Sequence, residues 1–310
     1  MRLAIALIVL CASLALAGTA GRPVVAVVTT NRTGPFGTAM DAMIGALGRL
    51  SPAPELLLFD VDGGPGAAAA AFTTMRRAEP ALIVTVGTIA TTTTLAEAWP
   101  VPIVFSMVLY PEQSDITQRP GRDLTGVALD VPFEAQFRTL RRLLPDAHSI
   151  GVLYRPDTTA GVVAAARTAA PRHGFTLDAE AATDPAAAVA AIGRLLGRVD
   201  TVLAIADHRI YNAQTTSALI LESLRQRKPL LALAPAQVRA GALASLGCDY
   251  SDIGLQTAAL IRRLLGGEKP AAIPIEPPRK LLLTLNRRVA AHLGVAIPGE
   301  MLSEAAEVVE

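Results

Sequence analysis

The sequence predicts an α/β protein built as two doubly wound parallel-sheet lobes joined by a multi-stranded hinge. Three observations carry this expectation. Short β-branched runs alternate with stretches long enough for about three helical turns, which is the pattern of parallel strands linked by crossover helices. The alternation runs through once and starts again near residue 149. The chain of 310 residues also exceeds the roughly 100–200 that one core ordinarily holds.

In the first pass, residues 24–29, 55–59, 82–86, 103–106 and 124–129 read as strands, with helices over 37–50, 66–79 and 89–98 between the first four. These strands are apolar almost throughout, which implies a sheet covered on both faces. Val131-Pro132 opens a helix over 133–144, with proline in the favoured first turn. In the second pass the strands are 149–154, 176–179, 201–205 and 230–234, and the helices 159–173, 185–197 and 209–227. The tail departs from a simple two-domain chain: 241–246 and 280–285 are strand-like, and 253–265 is an amphipathic helix. Such a tail suits a chain that crosses back between Rossmann-like lobes, leaving a hinge that absorbs a rotation in a few connecting residues. The expected division is 22–128 plus 250–276 for lobe one, and 129–249 plus 277–310 for lobe two.

Residues 1–20, MRLAIALIVLCASLALAGTA, have a basic start at Arg2, an apolar stretch and a small-x-small site at Ala15-Leu16-Ala17. This is the pattern of a cleaved secretory signal, and the apolar run is shorter than the roughly 20 residues of a spanning helix. The bulky Leu10 before Cys11 disfavours lipid attachment, so the expected location is the periplasm in soluble form. Beyond this leader only Cys248 remains, which excludes an internal disulfide. With no base near it in sequence, Cys248 reads as a small buried hydrophobe rather than a nucleophile.

The 28 basic and 27 acidic side chains are interspersed, so no one-sided field exists to hold a nucleic acid. No Gly-x-Ser-x-Gly elbow, P-loop, His-Glu-x-x-His or Gly-x-Gly-x-x-Gly occurs, and the glycine run 63–66 reads as a surface turn. No catalytic residue, cofactor or metal site is expected, since His208 has no second histidine at ligand spacing from it.

The run GALASLGCDYSDIGLQTAALIRRLLGGEKPAAIPIE at 241–276 resembles the signature segment of the ABC transporter substrate-binding family that includes tryptophan-binding proteins. VPIVFSMVLYP (101–111), RPGRDLTGVALD (119–130), LLPDAHSIGVLYRPD (143–157) and VDTVLAIAD (199–207) are similar to that family's segments in the same order, as is LGVAIPGEML near the end. The resemblance implies a type I periplasmic binding protein fold and the extracytoplasmic receptor of an ABC importer. Such a receptor captures an amino-acid-like or aromatic small molecule and docks on a membrane permease. Presentation of the solute to a membrane sensor kinase is the other role such a receptor can fill. The chain departs from the family pattern at Leu109-Tyr110 before Pro111, at Asp207-His208, at the neutral Ala234 to Gln237 loop, and at Arg155.

In doubly wound sheets ligands sit beyond the carboxyl ends of strands, where loops turn into helix N-termini with free N–H groups. That rule selects Asn31, Thr33, Phe36, Thr88, Ile89, Met107 and Tyr110 in lobe one, and Tyr154, Asp207, His208 and Gln237 in lobe two. Thr88 can cap a helix or offer its hydroxyl to a ligand. Asn31 and Thr33 can do the same or merely stabilise a turn. Asp207 can hold a ligand ammonium or cap the following helix. Phe36, Tyr110 and Tyr154 can stack on a flat ligand or pack in the core.

Overall fold

Val24–Thr29 (β1), Glu55–Asp60 (β2), Leu82–Val86 (β3), Ile103–Val108 (β4) and Leu124–Ala128 (β5) form a parallel sheet in the order β2-β1-β3-β4-β5. The computed structural model describes residues 22–117, 123–207 and 209–310. The expected leader at 1–20, the 118–122 stretch and His208 lie outside them. β1, β3 and β4 lie inside this sheet and are buried almost end to end, which is why they carry no polar alternation. β2, on the edge, is only half-buried.

Helices Gly34–Leu47 (α1), Gly64–Arg77 (α2) and Thr88–Leu95 (α3) connect the first four strands. α1 and α2 both begin two or three residues earlier than the sequence suggests, because Pro35 and Pro65 occupy the first turn, where a missing N–H costs nothing. The 63–66 glycine run is therefore the start of a helix and not a free surface turn.

Phe133–Leu143 (α4) leads into a second sheet of Ser149–Tyr154 (β6), Thr176–Ala181 (β7), Thr201–Leu203 (β8), Leu230–Ala232 (β9), Ala244–Cys248 (β10), Leu281–Asn286 (β11) and Glu307–Val309 (β12). Its order is β12-β11-β10-β9-β8-β6-β7, and only the β10–β11 pair is antiparallel. Ala160–Ala169 (α5), Pro185–Leu196 (α6), Ala213–Arg225 (α7) and Pro235–Arg239 (α8) intervene. α7 starts four residues later than the apolar pattern implies, because Asn212 caps it by accepting the Thr215 N–H at 2.9 Å. The strand expected at 241–246 begins at Ala244, since Gly241, at φ +125°, still belongs to the turn that ends α8.

Tyr250–Leu265 (α9) returns to the first lobe. Asp249 caps it by accepting the Asp252 N–H at 3.1 Å. Its Ile253, Leu260 and Ile261 join Val25, Val84, Val104, Met43 and Leu47 in one buried cluster. The Ser106 and Thr257 hydroxyls meet at 2.8 Å, tying α9 to β4. Each such large apolar side chain contributes roughly 1.5–3 kcal/mol by burial, so α9 is held to the lobe it reaches late in sequence.

The chain thus crosses between the sheets three times, at 129–132, at Asp249 and at 277–280. Glu276 bridges to the edge of the first sheet, where its N–H donates to the Gly126 carbonyl and its carbonyl accepts from the Ala128 N–H, both at 2.9 Å. Asp249 joins the last two crossings, pairing with Lys280 at 2.7 Å. After β11 come Arg287–Leu293 (α10), Gly299–Glu304 (α11) and the edge strand β12, which the sequence pattern did not reveal.

Candidate functional site

The carboxyl ends of β1, β3 and β4 face those of β6 and β8 across a cleft of about 820 Å³. On the first wall, Asn31 forms a tight turn: its Oδ1 accepts from both the N–H and the hydroxyl of Thr33 at 2.8 Å. This holds the entrance to α1 and places Asn31 on the cavity wall. Thr33 is spent on that turn and does not line the cavity.

Gly87 sits at φ +91° and ψ 158°, a region essentially reserved for glycine, and turns the chain from β3 into α3. The missing side chain also makes room for Phe36, whose ring edge would lie 2.9 Å from a Cβ there. Thr91 fixes the first turn of α3, its N–H and its hydroxyl both donating to the Gly87 carbonyl. The start of α3, with Thr88 and Ile89, therefore faces the cavity. Ile89 is 66% exposed, an uncovered apolar surface inside a cleft. Met107, at φ +59°, forms the bulge between β4 and β5 and contributes a buried apolar floor.

Tyr110 spans the lobes. Its φ of +49° directs it away from β4, and its N–H donates to Asp130 at 2.7 Å. Its hydroxyl accepts the Ala206 N–H at 3.0 Å, a bond from one lobe to the other. Burial pushes the Tyr110 phenol well above its ordinary pKa, so it stays protonated.

Asp207 stands on the second wall, 7% exposed. One carboxylate oxygen accepts from the hydroxyls of Thr158 and Thr159 at 3.0 and 3.2 Å, and the other from the Arg209 N–H at 3.0 Å. Asp207 does not cap α7, a task that falls to Asn212. Two hydroxyls and a backbone N–H thus fix the carboxylate in place at the cavity wall.

Seven of the expected residues line this cavity: Asn31, Phe36, Thr88, Ile89, Met107, Tyr110 and Asp207. Tyr154 packs on the core of the second lobe instead. Gln237 folds back to accept the N–H groups of Leu233 and Ala234 at 2.8 and 3.2 Å, so its side chain closes the start of α8. His208 falls outside the described residues. Arg155 is paired with Asp157. Thr158, Thr159, Val162 and Arg209 line the cavity without having been singled out. Thr158 and Thr159 follow Tyr154-Arg155-Pro156 in the loop after β6, and Val162 lies inside α5, where the strand-end rule gives no signal.

Cys248 is buried and donates to the Leu129 carbonyl at 3.1 Å, and burial pushes its thiol up to about 12. It is thus an inert thiol at the hinge. Among the described residues no group of three or more His, Cys, Asp or Glu side chains is placed to hold a metal, and no helix is long and apolar enough to cross a membrane.

Comparison with known proteins gives a consistent picture. A curated tyrosine-binding protein from Clostridioides difficile (strain R20291) is 21% identical over 180 residues, 56% of this chain and 52% of that protein. The match therefore spans about half the length of that relative. A Streptococcus pneumonia ABC domain in complex with L-Trp superposes with a TM-score of 0.67 at 22% identity, covering 93% of this chain and 100% of the other. The ligand-free, open structure of a substrate binding protein with adhesive properties from Clostridium difficile gives a TM-score of 0.76 at 18% identity, covering 93% and 99%. These likenesses show a periplasmic-binding-protein fold. The family model described as ABC transporter substrate binding protein matches residues 58–309. Matched over most of its length, the chain belongs to the ABC transporter substrate-binding protein family, a family of solute binders and not of enzymes.

Proposed function

We propose that this chain is the extracytoplasmic receptor of an ABC importer and that it takes an amino-acid-like or aromatic small molecule into the inter-lobe cleft. One observation carries the reading: the buried carboxylate of Asp207 stands across an 820 Å³ cavity from the open start of α3, with the apolar Phe36, Ile89 and Met107 on the same walls. A ligand ammonium is attracted to Asp207, while a carboxylate suits the N–H groups and positive end of α3 beside Thr88. The tyrosine and L-Trp named for the relatives support this ligand class.

The moving units are 22–128 with 250–276, and 129–249 with 277–310, a division supported by the packing of α9 in the first core and of β10 and β11 in the second sheet. Ligand affinity for the closed arrangement drives their approach. The closed form docks on a membrane permease in the periplasm, which the chain reaches through the signal at 1–20.

The test is a thermal-shift and titration screen of protein lacking residues 1–20 against L-tryptophan, L-tyrosine, other amino acids and aromatic acids. A ligand at 100 times its Kd raises stability by about 2.7 kcal/mol. Asp207→Asn and Thr88→Val are expected to weaken that ligand at least tenfold in protein that stays folded by circular dichroism, with Thr88→Val keeping the ligand-free melting temperature near wild type. Wild-type affinity in both variants sinks the assignment.

A further inference from the structure

Behind Tyr110, on the hinge side, lies a second chamber of about 200 Å³ that shares Leu109, Tyr110, Leu129 and Ala206 with the outer cleft. Its floor is the end of the second sheet, where three neighbouring strands present almost no side chain. Leu203 pairs in register with Leu231, and Ala232 with Ser245, so Ala204, Ala232 and Gly247 share one face of β8, β9 and β10.

Gly247 is the informative member. The strand glycines Gly126 and Gly151 are explained by packing, because a Cβ would lie 2.2 Å from the Phe105 carbonyl in one case and 2.9 Å from Val199 in the other. At Gly247 a Cβ would meet nothing within 4 Å, and its φ is not in the left-handed region. Neither backbone conformation nor close packing requires glycine there, and glycine inside a strand is a cost. What the glycine does provide is open space facing the chamber.

Polar groups stand at the chamber's edge. One Asp130 oxygen takes the Tyr110 N–H at 2.7 Å, and the carboxyl group lines the chamber. Gln136 donates through Nε2 to the Val131 carbonyl at 2.7 Å, leaving its Oε1 as an acceptor. Both offer acceptors to a ligand, whereas the walls at Leu129, Leu231, Leu233 and Leu246 are apolar. A cavity of about 150 Å³ lined by apolar side chains holds benzene, so this one has room for a ring with one or two substituents.

We propose that the hinge chamber is a ligand subsite that seats a planar apolar ring carrying one N–H or O–H donor, with Gly247 setting its depth. The proposal rests on the cleft being the ligand site, and it adds which part of the ligand goes where: the charged end between α3 and Asp207, the ring behind Tyr110.

Indole is the probe, because it fills the chamber without needing the charged end. Titrated into protein lacking residues 1–20, indole is expected to bind, and 1-methylindole, which lacks the donor, to bind at least fivefold more weakly. Gly247→Val puts two methyl groups into the chamber and is expected to weaken indole at least tenfold, with a ligand-free melting temperature equal to or above wild type. Ala232→Val fills the same space from the next strand and must act alike should Gly247→Val fail to fold. Ile89→Ser and Asp207→Asn, both on the outer cleft, leave indole within twofold of wild type. The Asp207→Asn arm separates this proposal from the amino-acid reading, since that variant loses the amino acid and keeps indole. The proposal is overturned by absence of indole binding, by unchanged indole affinity in the chamber variants, by equal binding of 1-methylindole, or by a loss in Ile89→Ser as large as in Gly247→Val.

Discussion

Replacing Gly87 with alanine tests how the fold presents the cleft wall. With φ at +91° and ψ at 158°, the residue occupies backbone space that costs an L-amino acid about 1–3 kcal/mol. The new methyl would also stand 2.9 Å from Cε1 and 3.5 Å from Cδ1 of Phe36. Overpacking of this kind costs about 1–3 kcal/mol, and the half-buried Phe36 can yield toward the cavity, which favours the lower end. The two contributions give a loss of about 2–4 kcal/mol. Urea unfolding reads this directly: the midpoint falls and the slope stays the same. A cycle with Phe36→Ala divides the loss, because removing the ring relieves the steric part and leaves the backbone part intact. A wild-type midpoint in Gly87→Ala refutes the backbone argument, and full additivity with Phe36→Ala refutes the steric one. Ligand affinity should fall in Gly87→Ala as well, since Phe36 and the start of α3 share the cavity wall.

Two further outcomes follow from named contacts. Tyr110→Phe removes the acceptor of the Ala206 N–H between the lobes, and the loss of a partner for a largely shielded N–H costs about 1–3 kcal/mol. A urea midpoint indistinguishable from wild type would show that the bond contributes nothing. Asp200 accepts from the amides of His148 and Ser149 and from the Ser149 hydroxyl, and these bonds, the His148 amide foremost, hold its carboxyl below the ordinary range. Its contribution is therefore complete above the ordinary aspartate value of about 3.9 and disappears as the pH falls through the depressed one. The difference in urea midpoint between wild type and Asp200→Asn should accordingly shrink between pH 7 and pH 2.5, and a constant difference contradicts this account.

Much of the architecture was legible along the chain because strands buried on both faces need uninterrupted apolar runs. Val24–Thr29 and Leu82–Val86 match their sequence runs to the residue for this reason. Helix starts were less legible. α1 and α2 are set by prolines that tolerate the first turn, and α7 by Asn212, whereas apolar periodicity reports only the buried face. Short edge elements such as α11 and β12 carry too few buried residues to leave a pattern. The site divided along similar lines. The strand-end rule brought Asn31, Thr88, Met107 and Asp207 to one cavity. It could not foresee that Gln237 turns inward to satisfy two backbone N–H groups, since that depends on where its own helix begins.

By itself the sequence determined the α/β class, the two passes of the βα pattern and the loops that carry candidate contacts, because period, apolar continuity and turn residues act over a few neighbours. Tertiary structure alone decided that Asp207 is held by Thr158 and Thr159 and not by a helix end, and that Tyr110 reaches across to Ala206. Asp207 and Thr158 lie 49 positions apart, and Tyr110 and Ala206 lie 96 apart. Local propensity holds no information over such separations, because these contacts exist only once the buried faces of distant elements have been brought together.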